Sequence, residues 1–217
     1  MVRVHLGIIS DVHADLHALR DALAQLERLG CDAIVCAGDL LDWGLFPEQT
    51  IALLREARIP CIRGNHDRWA VAECQDASGW DLTSRAVRFL DGLPTSWRRT
   101  IEGVRVVVWH ARPGNDMDGI YPDQTAPDEL LGILERADAD VLVVGHTHLP
   151  FCHRTRRGLV VNPGALLRDP AVPLDIPTGG TFGLLRLPSL EFSVHAAADG
   201  RRLKSWPARR RITRGVM

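Results

Sequence analysis

Residues 4–13, Val-His-Leu-Gly-Ile-Ile-Ser-Asp-Val-His, join an apolar run to two side chains that can bind metals, Asp11 and His13. Apolar runs that lead into such clusters recur at residues 33–37, 61–63, 104–109 and 141–144. Short apolar runs of this kind are typical of buried strands. Ligands in open α/β sheets collect at the carboxyl ends of the strands. We therefore expect the five clusters to lie along one edge of one sheet.

The clusters combine carboxylates, imidazoles and one amide, with no cysteine. Seven residues make up the candidate metal ligands: Asp11, His13, Asp39, Asn65, His110, His146 and His148. A mixed nitrogen and oxygen set favours borderline transition metals. Asp39 has two carboxylate oxygens and could bridge two cations. Two ions about 3.5–4 Å apart, with a bridging water converted to hydroxide, suit hydrolysis of a phosphate ester.

His66 stands between Asn65 and Asp67 and need not bind metal. Hydrolysis requires a proton for the leaving alkoxide, and an imidazole near the metals could supply it as general acid. A cationic imidazole in that position needs a carboxylate to stabilise it. Asp42 is the first candidate and Asp67 the second, although Asp67 could instead fix the local turn.

The composition is that of an ordinary globular protein, with 217 residues, 46% hydrophobic and 24% charged. We expect one domain over residues 1–217. The net charge of −1 excludes a strong overall field for a polyanion. The C-terminal tail, residues 201–217, is nevertheless basic, with no acidic residue. It predicts either contact with nucleic acid or another phosphate-rich surface, or, as the favoured interpretation, a solvated and partly frayed terminus.

The cysteine pattern and hydropathy favour a cytoplasmic protein. The five cysteines are odd in number and form no Cys-x-x-Cys pair, which predicts reduced thiols. No apolar run is long enough to span a membrane, and the N-terminus lacks the pattern of a signal peptide.

The order of apolar patterns predicts two mixed sheets packed face to face with outer helices. In the first half, strand and helix patterns alternate, which predicts parallel strands with a further strand at residues 60–63. The second half contains a hairpin at residues 97–109, a helix capped by Asp128, and mostly antiparallel strands. Residues 111–127 form a long loop after His110, a candidate substrate lid.

Five motifs together resemble the calcineurin-like metallophosphoesterase superfamily, in the correct order. They are Asp11-Val-His13, Gly38-Asp39-Leu-Leu-Asp42, Gly64-Asn65-His66-Asp67, His110 and Gly145-His146-Thr-His148. The short length and the Asn162-Pro163-Gly164 sequence are similar to its small prokaryotic phosphodiesterase branch.

This resemblance implies a four-layer α/β/β/α sandwich and two divalent ions, among Mn, Fe, Zn, Ni and Co, with Mn favoured. It assigns one ion to Asp11, His13, Asp39 and His148. It assigns the other to Asp39, Asn65, His110 and His146. It also makes His66 the proton donor, with Asp42 behind it.

Departures from the family pattern concern the substrate. Trp43 stands where many phosphoprotein phosphatases of the superfamily have arginine, which favours a phosphodiester or nucleotide substrate. Arg112 could contact a phosphate, and Trp43 and Tyr121 could stack on a base or aryl group, although loop exposure or packing explains these three equally well.

Three other functions remain open. A phosphomonoesterase, including a phosphoprotein phosphatase, is the second enzyme hypothesis. An interaction scaffold is the third, because a retromer subunit resembles the small branch; that subunit has lost the histidine at the position of His66. A nuclease is supported only by the basic tail. A homo-oligomer is also compatible with the sequence.

Overall fold

The computed structural model describes residues 3–75, 82–167 and 180–207. Within these ranges the chain forms ten strands and five helices. The strands are β1 (Val4–Ile9), β2 (Ala33–Cys36), β3 (Ser96–Ile101), β4 (Val104–Trp109), β5 (Val141–Val143), β6 (Phe151–Arg154), β7 (Leu159–Asn162), β8 (Thr181–Leu187), β9 (Glu191–Ala196) and β10 (Arg202–Trp206). The helices are α1 (Leu16–Arg28), α2 (Pro47–Glu56), α3 (Asn65–Gln75), α4 (Ser84–Asp91) and α5 (Pro127–Arg136).

The strands build two five-stranded sheets, both of them mixed. The strand order is β10-β9-β8-β1-β2 in the first sheet and β3-β4-β5-β7-β6 in the second. β1 pairs with β2 in parallel, and β5 pairs in parallel with both β4 and β7. The other pairs are antiparallel. The prediction of two mixed sheets is confirmed.

Three apolar clusters hold the layers together. Between the sheets, Leu6 and Ile8 of β1 pack in one cluster with Val106 of β4 and Val143 of β5. On the outer face of the first sheet, a second cluster contains residues of the four helices α1, α2, α3 and α4. On the outer face of the second sheet, a third cluster joins α5 to alternate residues of β4 and β5. Strands buried on both faces explain the continuous apolar runs of the sequence, and the four-layer arrangement is confirmed.

The strand predicted at residues 60–63 is wrong, because the structure has only one bridging residue pair there. Cys36 pairs in parallel with Cys61, flanked by hydrogen bonds from Cys36 N–H to the Pro60 carbonyl and from Ile62 N–H to the Cys36 carbonyl. The Arg63 N–H then donates to the Pro94 carbonyl, and α3 begins at Asn65. The chain leaves the sheet early because Asn65 must turn into the helix.

The predicted helix cap at Asp128 is also wrong. Ala126 is the N-cap of α5 and Pro127 occupies the first turn, without a side-chain cap. Proline suits this position because its missing N–H would have no partner inside the helix. Asp128 lies in the first turn, where a negative charge favours the helix dipole.

The described part of the basic C-terminal tail is not the frayed terminus that its composition leads us to expect. Its residues 202–206 form β10, which pairs antiparallel with β9. The Arg154 side chain donates hydrogen bonds to the carbonyls of Leu190, Trp206 and Pro207 and so fastens the end of this strand. The arginines at positions 209, 210, 211 and 214 lie outside the described residues.

Two negative expectations agree with the structure. No disulfide joins any of the five cysteines, all of which fall within the described ranges. Among the helices of those ranges, none combines the length and the apolar character that crossing a bilayer requires.

The inter-sheet cluster predicts a large effect of truncation at Ile8. Ile8 is fully buried, whereas Leu45 is 83% exposed. Ile8→Ala should lower the free energy of unfolding by about 2–5 kcal/mol, because it leaves a cavity between the sheets. Leu45→Ala should change it by less than about 0.5 kcal/mol. Urea denaturation measures both; equal effects would contradict the assigned core.

Candidate metal centre

The backbone around the motifs adopts an unusual conformation at several non-glycine residues. Asp11, His13, Asp39, His146 and His148 have φ between 47° and 66°. L-residues seldom adopt left-handed φ values, and such positions concentrate at functional sites. The loops after β1 and β2 support each other, because the N–H groups of Asp11 and His13 donate to the carbonyls of Gly38 and Asp39, each at 3.0 Å.

Two glycines allow the loops to approach closely. A Cβ atom at Gly64 would lie 2.1 Å from Asp39 Oδ1, and one at Gly145 would lie 2.6 Å from Asp11 Oδ2. Any larger residue would therefore displace a carboxylate of the cluster. These contacts give a physical reason for glycine at both positions.

The first group of metal-binding atoms comes from the loops after β1 and β5. The carboxylate of Asp11 and the rings of His13 and His148 place their ligand atoms within 4.8 Å of one another. His148 Nε2 lies 3.3 Å from Asp11 Oδ1 and 3.1 Å from His13 Nε2. The His146 N–H donates to both Asp11 oxygens at 3.1 Å, which fixes this loop against β1.

The second group comes from the ends of β2, β4 and β5. Asp39, His110 and His146 place their ligand atoms within 4.8 Å of one another. Asn65 lies between the two rings, with its Oδ1 3.1 Å from His110 Nε2 and 2.9 Å from His146 Nδ1. The structure thus brings together all seven residues that the sequence nominates. The expectation that they lie along one edge of one sheet is wrong, because β1 and β2 belong to one sheet and β4 and β5 to the other.

Asp39 lies between the two groups. Its Oδ2 is 3.1 Å from His110 Nε2 and 4.0 Å from His13 Nε2. Its Oδ1 accepts a hydrogen bond from the His66 N–H at 3.0 Å. One carboxylate therefore faces both groups, as a bridging ligand would.

The ring orientations fit a metal site. His13 Nδ1 lies 3.0 Å from the Leu41 carbonyl and His110 Nδ1 lies 2.8 Å from the Ala37 carbonyl. A carbonyl accepts only from a protonated nitrogen, so each ring, in the neutral form that a metal ligand takes, presents the Nε2 lone pair to the cluster. Lone pairs crowded within 3–4 Å of one another and of carboxylates need a cation between them. Ions with bonds of about 2.0–2.2 Å hold their ligand atoms at about such spacings.

The charges of the cluster shift the ionisation of its members. Burial disfavours the charged form of His110, but Asp39 outweighs it and raises the pKa of His110 to about 10. Burial likewise opposes ionisation of Asp11, yet the rings of His148 and His110 hold the pKa of this carboxyl well below its usual range. Burial lowers the pKa of His13. The buried Asp11 carboxylate thus stays negative beside imidazoles, an environment that attracts cations.

His66 lies at the edge of the cluster with Asp42 as its ion-pair partner. His66 Nδ1 contacts Asp42 Oδ2. The opposite nitrogen of the ring, Nε2, is not used in this pair. A ligand atom of His66 also lies within 4.8 Å of ligand atoms of His13 and Asp39, so the ring is close enough to share a metal.

Asp67 fixes the turn that leads into α3. Its fully buried carboxylate accepts hydrogen bonds from the N–H groups of Leu40 at 2.8 Å and Gly64 at 2.9 Å. Burial and the charge of Asp39 raise the pKa of Asp67 to about 7, against the effect of these two donors. Asp42, rather than Asp67, carries the contact with His66.

Two tryptophans form an aromatic rim around His66 and His13. Trp43 stacks on the His13 ring with centroids 4.5 Å apart and meets the His66 ring at 5.3 Å. Trp69 meets His66 from the other side at 4.8 Å. Our sequence analysis did not identify Trp69. It stands three residues after His66, a spacing that places both on one face of a helix.

The other predicted substrate contacts have mixed outcomes. Arg112 forms ion pairs with Asp118 and Glu129, so its guanidinium serves its own loop and α5. Tyr121 is 38% exposed. Its ring borders Gly119, where a Cβ would lie 3.0 Å from the His146 ring. Loop 111–127 therefore lies beside the cluster, as a covering loop requires.

A family model decides the relationship of this chain to known proteins. The model of the calcineurin-like phosphoesterase superfamily domain matches residues 4–175. The chain belongs to the calcineurin-like phosphoesterase superfamily. A phosphoesterase of this superfamily hydrolyses phosphate esters, and the two groups of aspartate and histidine ligand atoms are suited to a divalent metal.

Relatives and solved structures agree with this assignment. The phosphoesterase is 29% identical, over 178 residues, to a probable metallophosphoesterase of Methanothermobacter thermautotrophicus, covering 77% of this chain and 82% of the relative. The crystal structure of a metallophosphoesterase from Sphaerobacter thermophilus matches with a TM-score of 0.69 and 23% identity, over 94% of this chain and 89% of that one. Vps29 of Entamoeba histolytica, complexed with Zn²⁺, matches with a TM-score of 0.59 and 18% identity, over 94% and 99% of the chains. Both structural matches show the fold.

Gly64 provides a test of the cluster geometry in this phosphoesterase. Gly64→Ala should lose most of the metal that the wild type binds, because the added methyl group collides with Asp39. Metal content of purified protein is measured by inductively coupled plasma mass spectrometry. Gly132→Ala is the matched control, because its Cβ would meet only the end of the Arg136 side chain, at 3.3 Å. Normal metal content in Gly64→Ala would contradict the close approach.

Proposed function

We propose that the protein hydrolyses phosphodiesters with two divalent metal ions, Mn²⁺ being favoured. One ion is held by Asp11, His13, Asp39 and His148. The other is held by Asp39, Asn65, His110 and His146. The observation that carries the proposal is the position of Asp39, whose Oδ2 faces His110 at 3.1 Å and His13 at 4.0 Å.

The chemistry that such a pair of ions supplies is polarisation of the phosphoryl oxygens and acidification of bound water. The chain supplies the proton for the leaving group. In this proposal His66 Nε2 carries that proton, because Nδ1 is engaged by Asp42. The Asp42 carboxylate contacts Nδ1 and holds the ring in one orientation.

The preference for a diester follows from the side chains next to His66. A monoester dianion needs an additional positive partner there, and Trp43 stands beside His66 where many phosphoprotein phosphatases of the superfamily have arginine. Arg112, the other candidate, is already paired with two carboxylates. The aromatic rim of Trp43 and Trp69 suits an uncharged ester group, such as an aryl ring or a base.

Two alternatives have specific support. The protein would act as a phosphomonoesterase if Arg112 exchanged its ion pairs with Asp118 and Glu129 for contacts with the substrate phosphate. A metal-binding interaction scaffold is favoured by the similarity to Vps29. The complete set of ligands and the His66–Asp42 pair favour the enzyme. We also propose a single domain and a cytoplasmic location, and the five free thiols support the location.

His66 is the residue that tests the mechanism. His66→Ala should lower kcat by roughly 10²–10⁴-fold, because a general acid contributes on that scale. Metal content should stay near normal. The exposed His17 of α1 is the control, and His17→Ala should leave kcat unchanged. If His66→Ala loses its metal instead, His66 is a ligand and the proposed role is wrong.

The substrate preference is tested with bis(4-nitrophenyl) phosphate against 4-nitrophenyl phosphate. Chelator-stripped protein reloaded with Mn²⁺ should turn over the diester with a kcat/KM about tenfold higher or more, because the monoester dianion leaves one charge without a partner. Trp43→Arg should raise turnover of the monoester. Preference of the wild type for the monoester would support the phosphatase, and no turnover of either would support the scaffold.

A further inference from the structure

A cavity borders the candidate metal centre. Its volume is about 320 Å³, and it lies where β3 begins and β4 ends. The residues around it include Arg63, Thr95, Trp109, His110, Asn115 and Asp116. His110 belongs both to this lining and to the second group of metal-binding atoms. A molecule held at the metals could therefore extend into the cavity.

The arginine of the lining has no acceptor. Arg63 is half-buried, and its guanidinium forms no ion pair or hydrogen bond within the described part of the chain. A partly desolvated cation gains from a partner of opposite charge. Arg63 therefore favours an anionic acceptor that enters the cavity.

The one carboxylate of the lining is already neutralised. Asp116 accepts two hydrogen bonds from Arg68, at 2.8 Å to Nε and 3.0 Å to Nη2. Arg68 belongs to α3, so this ion pair also fastens loop 111–127 to the helix that carries His66. His110, also in the lining, faces Asp39 at 3.1 Å, so the charge on the cavity wall without a partner among the described residues is that of Arg63.

We propose that this cavity binds a second phosphate group of the substrate. The substrate is then a phosphodiester of which one ester group carries a further phosphate. A guanidinium offers a planar pair of donors that matches two phosphate oxygens. Thr95, in the same lining, carries a hydroxyl group that can also donate. This inference rests on the proposed function, since the scissile diester is placed at the metals.

Binding of two non-hydrolysable analogues tests the subsite without turnover. In both, a CH₂ group replaces the scissile ester oxygen; one carries a remote phosphate and the other a hydroxyl at the same position. Calorimetry on the full-length, Mn²⁺-loaded protein should give a Kd about tenfold lower or better for the phosphate-bearing analogue. Equal Kd values for the wild type would overturn the proposal.

Variants assign the preference to named groups. Arg63→Met should reduce the preference to within about twofold and leave the Kd of the hydroxyl analogue unchanged, whereas Arg63→Lys should retain part of it. Arg99→Met, at an exposed position of β3, is the control and should keep the full preference for the phosphate-bearing analogue. If Arg63→Met weakens both analogues equally, Arg63 supports the loop before Asn65 and the subsite is wrong.

The corresponding hydrolysable diesters separate this proposal from the proposed function. Wild-type turnover of both, with higher kcat/KM for the phosphate-bearing one, supports both proposals. Binding preference without any turnover would overturn the proposed function and leave the anion subsite standing. Turnover of both diesters without a binding preference would overturn the subsite alone.

Discussion

The buried carboxylate of Asp39 is the constraint on which the rest of the site depends. Asp39 is 1% exposed, and a charge removed from water requires compensation. Three imidazoles and the His66 N–H provide it from four different loops. To converge there, these loops adopt left-handed backbone conformations and pass within atomic contact of each other at Gly64. The layers of the fold, with their apolar interior, supply the rigid support that keeps such loops in place.

The sequence nominated the cluster because its members, except Asn65, follow short apolar strands. Parallel pairing places the carboxyl ends of β1 and β2 together and so accounts for Asp11 and Asp39. His146 follows β5 of the other sheet, and its approach to them depends on the packing of the two sheets, which local patterns do not encode. The helix α3 was not predicted, because its buried face contains few apolar residues. Beside Asn65 and Asp67 it buries only Ala70 and Val71. Periodicity cannot reveal a helix whose buried face is largely polar. Likewise β10 is a largely exposed edge strand, and its stability comes from pairing with β9.

Substrate contacts were harder to predict than metal ligands, since they depend on partners far apart in sequence. Arg112 was a candidate phosphate contact, but its guanidinium is paired with Asp118 of its own loop and with Glu129 of α5. Arg68 pairs with Asp116, 48 residues away, and no local pattern relates them. The error for Arg63 was the opposite one. It lies in the segment predicted as a strand and was not nominated as a substrate contact, yet its guanidinium has no partner among the described residues. Which arginine meets a ligand is decided by tertiary pairing, not by residue type.

The direction of the last three strands has a practical consequence. β8 runs antiparallel to β1 and pairs Leu187 with Val4, so β8 ends at the edge opposite the metal ligands. β9 returns toward the ligands, β10 runs back, and Arg154 fastens Pro207 at the far edge. The strand β1 has six residues, so that edge is about 20 Å from the ligands at about 3.3 Å per residue. An affinity tag, a fluorophore or a surface linkage joined beyond Pro207 therefore begins on the side of the molecule where substrate does not enter.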